Sequence, residues 1–585
     1  MKKFFTLFLM FFAFLSVNAQ KKEKVKDTVK TEVVNIITKY NPKIADAKKI
    51  KKSPKINLLK KSERKKLEYA IFSAPVASTF IPKSGVVKGI DVGVKERVYK
   101  NYLALGFGNY RTSYVDAFLH HQTRFNNEFG FNAKYLVSQE NVKNSFVDSD
   151  FLNFNTGIFY KKQDRYFDWK IGLNSEKSTY KWYGLPNETY TEPILYSINE
   201  EQIYNSFKLI GDMDFKDSYI DYGKIKASYY TDTYNSTEIL ARFDAKLDFP
   251  LKFINNNFND ISIKTNAEFL KGEFKKSYKD LNPINYSITT FGVNPEYKMN
   301  FKSVKIKTGV KLIASLDSEN NLNNVFALPD LFIESPIIKG TIDVYAGVSG
   351  NLYTNTYKGF SEENPFVSPT LFITQTLEKS NFFIGFNGKM TRDVSYNIKA
   401  NYKEEEDKPL FLRNASKFNG VNTNIEGYEF GNSFNVIYDD VKTTTIFGEI
   451  EYNVSKNLSF STQGIYNIYT TKNALEAWNL PAFEASLRTK YKNRKWFAIT
   501  NIFYVSERKD ALYNSQFPSS ISAIEKIDSF IDVNLNGGYH INDKFSAFLK
   551  LNNILNSNYD RFANFNTQGF QVLAGITYKF DFLGF

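Results

Sequence analysis

The chain has 585 residues, a formal net charge of +14, three histidines and no cysteine, and it carries 38 Tyr and 55 Phe. The missing cysteines exclude a disulfide framework, a thiolate metal site and a lipid-modified cysteine. His120 and His121 are adjacent, and on a strand they would face opposite ways, so a histidine metal site or general-base chemistry has few players.

Lys2 and Lys3 precede an apolar run from Phe4 to Leu15, and Val17, Asn18 and Ala19 offer a cleavage position before Gln20. That pattern predicts a secretory signal peptide over residues 1–19. An uncleaved anchor would need about 20 apolar residues, and this run is too short. From Lys21 to Glu68 there are 17 Lys or Arg against 6 Asp or Glu, so this segment holds +11 of the formal +14. Residues 20–98 are therefore read as a basic periplasmic extension. Three readings stay open for it: a solvated tether, an electrostatic contact with an acidic periplasmic or lipoprotein partner or with the inner membrane face, and an insert into the lumen of the domain that follows. Apolar clusters at Tyr69 to Phe72 and at Ala74 to Ile81 suggest that its last part docks on that domain.

No long uncharged apolar run occurs after residue 20, and mean hydropathy is below zero despite the aromatic wealth. Membrane barrels have this composition, because they hide their hydrophobicity in every second residue and place aromatic girdles at both interfaces. From residue 99 to 585 segment after segment alternates with period two. In the last strand Phe570, Val572, Ala574, Ile576, Tyr578 and Phe580 share one face, and Gln571, Thr577 and Lys579 share the other. The same rule separates Ala241, Phe243, Ala245, Leu247 and Phe249 from Arg242, Asp244, Lys246 and Asp248. It also separates Val304, Ile306, Val310 and Leu312 from Lys305, Lys307 and Lys311. A cation facing lipid at mid-depth costs roughly 2–4 kcal/mol, so these charges, with Glu449, Glu451 and Asp532, are assigned to the lining of a wet or protein-filled lumen.

Short connections such as Gln163-Asp164-Arg165 and Thr391-Arg392-Asp393 alternate with long ones near 177–202, 354–380, 404–442, 507–527 and 553–569. Strands are predicted to begin near 101, 113, 127, 151, 166, 203, 219, 237, 259, 285, 303, 327, 340, 381, 393, 444, 458, 482, 494, 528, 544 and 570. The predicted fold is all-β: a transmembrane antiparallel β-barrel of about 22 strands in the outer membrane of a Gram-negative bacterium, its exterior in contact with lipid. The cluster Glu404-Glu405-Glu406-Asp407 is placed in the longest loop, available to pair with Lys305, Lys307 and Lys311. It lacks the spacing and turn glycine of a calcium loop. No motif points to an enzyme, a cofactor, a metal or a nucleic acid.

The stretch from Leu551-Asn552-Asn553-Ile554-Leu555-Asn556-Ser557-Asn558-Tyr559 through Gly569 to Tyr578-Lys579-Phe580 resembles the ending of TonB-dependent outer-membrane receptors. The aromatic, Lys-rich and Asn-rich composition resembles that of outer-membrane proteins of Bacteroidota. The resemblance implies a 22-strand barrel and solute uptake. It also implies a globular plug of well over a hundred residues, whereas fewer than 80 Lys-rich, aromatic-poor residues lie between the signal and the first strand. A full plug domain is therefore expected to be missing. The segment from Asp27 to Ile37 is loosely similar to a TonB box, but without a plug to pull it reads better as a short strand or partner-binding segment.

An unfilled barrel of this size would breach the permeability barrier. Inward-folded loops, the extension or a second protein must fill it. Two functions follow: receptor-like passage of a solute, or a plugless scaffold or accessory subunit of an outer-membrane assembly or secretion complex. The sequence leaves open whether TonB energises either.

Overall fold

The computed structural model describes residues 98–581 apart from 187–189, 252–260 and 515. The expected signal peptide and all but the last residue of the basic extension lie outside the described residues. The strands in chain order are β1 (Asn101–Gly108), β2 (Thr112–Gln122), β3 (Asn127–Ser138), β4 (Phe151–Gln163), β5 (Phe167–Lys181), β6 (Glu201–Phe215), β7 (Ile220–Thr231), β8 (Thr237–Phe249) and β9 (Ile261–Phe274). Next come β10 (Ile284–Phe301), β11 (Val304–Asp317), β12 (Leu322–Ile338), β13 (Ile342–Thr354), β14 (Gln375–Lys389), β15 (Val394–Arg413), β16 (Phe434–Asn453), β17 (Leu458–Thr471), β18 (Phe483–Lys492) and β19 (Trp496–Val505). The chain ends with β20 (Arg508–Tyr513), β21 (Ile521–Ile527), β22 (Phe530–His540), β23 (Phe545–Asn552), β24 (Asp560–Phe562), β25 (Phe565–Asn566) and β26 (Gln571–Phe580). Two short helices, α1 (Glu192–Ser197) and α2 (Tyr357–Glu363), sit in loops. No helix among the described residues is long and apolar enough to cross a membrane.

Twenty-two of these strands form one sheet in which each pairs with its chain neighbour, β20–β21 and β24–β25 being separate hairpins. The ring closes where β1 pairs antiparallel with β26, from Asn101↔Phe580 to Gly108↔Leu573. Closure leaves no unpaired edge, the only way a sheet can satisfy its backbone groups in hydrocarbon. At this seam the inner face is built on small residues. A Cβ on Gly575 would lie 2.4 Å from the Phe548 ring and 2.2 Å from the Leu105 carbonyl oxygen, so only glycine lets that ring lie across the joint.

Alternation sorts the two faces. Ile225, Phe243, Phe291 and Ile384 point outward and are 44–53% exposed, an apolar girth that an aqueous surface would not carry. Their chain neighbours point inward and are polar, aromatic or glycine. Tyr166, Tyr219, Phe301 and Trp496 cluster at the end where both termini of the barrel emerge, as an interfacial aromatic girdle does. Connections at that end are short, such as 164–166 and 493–495, and those at the opposite end include 182–200, 355–374, 414–433, 506–529 and 553–570. The long-loop end is extracellular by the usual rule.

The terminal motif has a structural explanation. Asn553 adopts φ 47°, its amide donates to the carbonyls of Ser557 (2.8 Å) and Gln568 (3.0 Å), and its Oδ1 accepts from Ser557 N (3.1 Å). One buried side chain thus pins both ends of the 553–570 loop.

One expectation fails. The region 404–442 is not a single loop: β15 runs on to Arg413 and β16 starts at Phe434, each 20 residues long, leaving a loop of 414–433. Glu404, Glu405, Glu406 and Asp407 therefore lie on β15, and none of them pairs with Lys305, Lys307 or Lys311. Glu404 meets Lys442 at 3.5 Å, Glu405 meets Lys403 at 2.9 Å and Lys408 at 2.6 Å, and Glu406 pairs with Lys379. A bulge between Glu405 and Lys408, with Asp407 at φ 51°, breaks the alternation there.

Ile384→Arg, which places a cation on the lipid face of β14, is expected to lower the stability of the barrel in vesicles by about 2–4 kcal/mol. Gln463→Arg, facing inward beside Glu449, should change it by less than about 1 kcal/mol; urea titration read by gel mobility compares the two.

Candidate functional site: a capped, charge-lined barrel

Two features occupy the inside of the sheet. The first is a belt of ion pairs on the inner face of β7 to β12. Lys246 bridges Asp221 and Asp248, both at 2.7 Å, and Asp248 accepts from Ser262 Oγ at 2.5 Å. Lys264 reaches Glu296 at 2.6 Å, and Asn294 links Glu296 (3.0 Å) to Asp330 (3.2 Å), which takes Lys307 at 2.7 Å. Arg242 holds Asp244 in a fork, 2.8 Å from Nε and 2.9 Å from Nη2, with Glu268 at 3.5 Å. Lys305 meets Glu334 at 3.4 Å, and Lys311 donates to the Gly350 carbonyl at 2.8 Å.

Seven of the ten residues singled out in the sequence therefore fall in or beside this belt. The other three do not join it. Glu449 and Glu451 face inward on β16, in register with Gln463 and Ser461. Asp532 is buried near the outer end of β22, where it accepts from Asn534 Nδ2 at 2.8 Å. Sequence reasoning missed the partners Asp221, Lys264, Glu268, Glu296, Asp330 and Glu334. Aligning neighbouring strands by their short turns would have revealed them, since Lys305↔Glu334 and Arg242↔Glu268 are direct cross-strand pairs.

The second feature closes the extracellular mouth. The loop leaving β13 carries α2, capped by Thr356, whose Oγ1 accepts from Gly359 N at 2.9 Å. This loop is held by its own strands, Asn355 Nδ2 donating to the Thr374 carbonyl and to Thr376 Oγ1 at 2.9 Å each, and by strands five and more places round the ring. Glu238 on β8 accepts from Tyr357 N (2.5 Å), Lys358 N (3.1 Å) and Tyr286 OH (2.9 Å). Tyr286 reaches it across β9 because Gly272 leaves the path open, and a Cβ there would sit 2.1 Å from the Tyr286 hydroxyl. Tyr357 OH donates to Asp232 at 2.7 Å, and Lys358 reaches Ser206 (2.8 Å) and Glu176 (3.0 Å). Burial pushes the Asp232 carboxyl above the ordinary range.

Further loops converge on the same place. Trp182 donates through Nε1 to the Phe366 carbonyl (3.1 Å), Asn432 Nδ2 donates to the Trp182 carbonyl (2.6 Å), and Arg561 donates to the Glu363 carbonyl (3.0 Å). Phe366 stacks on Phe565 with centroids 3.8 Å apart, Trp182 meets Tyr428 at 5.3 Å and Phe434 meets Phe562 at 5.1 Å. Trp182, Tyr357, Leu371, Phe434 and Phe565 are at most 1% exposed, so the loops form a dry core of their own.

Charges stitch its rim. Burial raises the Glu429 carboxyl, but the hydrogen bond from Lys417 (2.8 Å), the backbone of Glu426 and the Lys276 ammonium (3.2 Å) together hold it below its usual value. The β20–β21 hairpin is fastened by Arg413 to Glu525 at 2.5 Å and by Phe517 N to the Ser416 carbonyl at 2.7 Å. Arg508, on that hairpin, donates to the Asp560 and Arg561 carbonyls; burial and the Arg561 guanidinium push it down to about 10.

Solved structures share this architecture. The ferripyoverdine receptor of the outer membrane of Pseudomonas aeruginosa, bound to ferripyoverdine, superposes with a TM-score of 0.59 at 13% identity over 82% of this chain and 72% of that one. The FrpB iron transporter from Neisseria meningitidis gives 0.62 at 10% identity over 83% and 82%. The siderophore receptor PirA from Acinetobacter baumannii gives 0.58 at 11% over 82% and 80%. At such identities the likeness is one of fold, a 22-strand antiparallel barrel. No protein-family model matches the chain, and no curated protein sequence matches it.

Trp182→Ala or Phe366→Ala empties part of the cap core, a truncation that costs about 3–5 kcal/mol where the site cannot collapse. Both should make the loops 355–374 and 414–433 cleavable by protease added outside intact cells, while the barrel keeps its heat-resistant gel mobility.

Proposed function

We propose that this chain passes a solute across the outer membrane as a TonB-dependent-receptor-like barrel without a full plug, the extracellular loops acting as its gate. The observation that carries this reading is the cap: loops from six places around the rim meet in one dry aromatic core over a barrel whose fold is shared with siderophore receptors. A cap built from the chain's own loops supplies the permeability barrier that a 22-strand ring requires. In this proposal Arg242, Asp244, Lys246, Asp248, Lys305, Lys307, Lys311, Glu449, Glu451 and Asp532 line the path. The pairing of most of the cations with carboxylates leaves little net field, which favours a polar solute over a simple ion. The basic extension reaches an acidic periplasmic or lipoprotein partner.

Planar-bilayer recording tests the proposal. The intact barrel should be nearly silent, and replacing 355–374 by a short Gly-Ser linker should open large, long-lived conductances. Adding Lys307→Glu and Lys311→Glu should then shift the open pore toward cations. A linker variant that folds yet stays silent would refute the gate.

A further inference from the structure

The inner wall is not uniform. On the β7–β12 side the charges pair with one another, the side chains of Arg242 and Lys264 46% and 42% exposed and those of Glu268, Glu296 and Asp330 largely buried. The opposite wall, on the seam strands β1, β2, β22, β23 and β26, carries an apolar cluster beside a few charged groups, Asp116, Asp532 and Lys550. Tyr114, Phe548 and Leu573 pack there as one apolar cluster with Ala104. Beside them Lys550 is 3% exposed and Asn536 5% exposed.

These two polar groups lack partners among the described residues. Asn536 has neither its Nδ2 nor its Oδ1 hydrogen-bonded, and Lys550 makes no hydrogen bond among the described residues: its ammonium lies over the Tyr114 ring, 3.8 Å from the centroid, and near the Phe548 ring, while the neighbouring Asp116 carboxylate is taken up by the hydroxyls of Tyr102 and Tyr114, each at 2.9 Å. A buried ammonium and a buried amide both require hydrogen-bond partners, and a part of the chain outside the described residues can supply them. Residues 582–585 cannot supply them: four residues span at most about 14 Å, whereas Leu573, level with Lys550, lies seven residues up β26 from Phe580. Strands β8 and β9, between which residues 252–260 fall in the sequence, stand on the opposite side of the ring. The chain before Val98 ends beside the seam, where Lys100 N donates to Asp581 at 2.9 Å.

We propose that residues 71–82 occupy the lumen against this wall. The stretch Ile71-Phe72-Ser73-Ala74-Pro75-Val76-Ala77-Ser78-Thr79-Phe80-Ile81-Pro82 carries no charge, whereas the segment before it is crowded with lysines that an unpaired ammonium would repel. Its carbonyls and its Ser73, Ser78 and Thr79 hydroxyls can accept from Lys550 and pair with the Asn536 amide, and Phe72 and Phe80 suit the Tyr114–Phe548 shelf. Thr79 lies 19 residues before Val98, a reach of up to about 65 Å, ample to run up the short wall of β1. The assignment is independent of what the barrel carries.

The cysteine-free chain makes the test direct. Cysteines are introduced singly at Val76→Cys, Thr79→Cys or Ile81→Cys and combined with either Asn536→Cys or Lys264→Cys in the full-length barrel, then treated with a short bismaleimide. At least one position should cross-link to residue 536 with several-fold higher yield than any achieves with residue 264. Equal yields on both walls, or no link to 536 in protein that retains folded gel mobility, would overturn the proposal. Amine labelling of otherwise wild-type protein gives a second reading: Lys550 should resist labelling in the full chain and become reactive when 71–82 is replaced by a Gly-Ser stretch of equal length. Unchanged protection after that replacement would also overturn it.

Discussion

Everything in this molecule follows from the cost of an unpaired backbone group in hydrocarbon. A chain that crosses the bilayer as strands must pair every strand on both sides, so the eight-rung junction of β1 with β26 is the constraint on which the rest depends. Once the ring is closed, each strand has only two faces and every side chain is committed to lipid or to the interior. The alternation visible in the sequence is that commitment written residue by residue.

Above the bilayer the constraint relaxes and a different physics takes over. The strands β15 and β16 run on for 20 residues, and their upper parts meet protein on both faces. Leu410 packs with Trp478 and Ala511 on one side while Phe411 joins the central aromatic cluster on the other. There the stabilising element is hydrophobic burial, with hydrogen bonds donated by Tyr357 and Lys358 to the carboxylates of Glu238 and Asp232 fixing where the 355–374 loop lands. The inner-face ion pairs contribute differently. They are partly solvated, worth little individually, and their effect is to set the electrostatic character of the path.

How much was legible in the sequence depended on which regime a residue occupies. Where one face meets lipid, period two is strict, and β1, β3, β4, β8 and β17 begin at the residues expected. Where both faces are covered by the cap the period dissolves: Val436-Ile437-Tyr438 reads as an apolar patch, so β16 was expected ten residues late, near 444 rather than at Phe434. β14 was likewise expected near 381 rather than at Gln375, where a bulge between Glu378 and Ser380 interrupts the pattern. Inward-facing charges were found because alternation marks them, but their partners required knowledge of register. The cap was not legible, because Trp182, Phe366, Tyr428 and Phe565 lie in loops far apart in sequence and no local period brings them together.

The chain's four tryptophans report on both regimes at once. Trp496 lies at the outer surface near the periplasmic interface, 55% exposed, while Trp182 and Trp478 are 1% exposed inside the loop assembly. Single-tryptophan forms made by Trp→Phe replacement, reconstituted in vesicles of brominated lipid, measure this arrangement most directly. The account predicts strong quenching of Trp496 by the lipid bromines and protection of Trp182 from both lipid bromine and aqueous iodide. Iodide quenching of Trp182 to the level of a free indole, or indifference of Trp496 to the lipid, would contradict it.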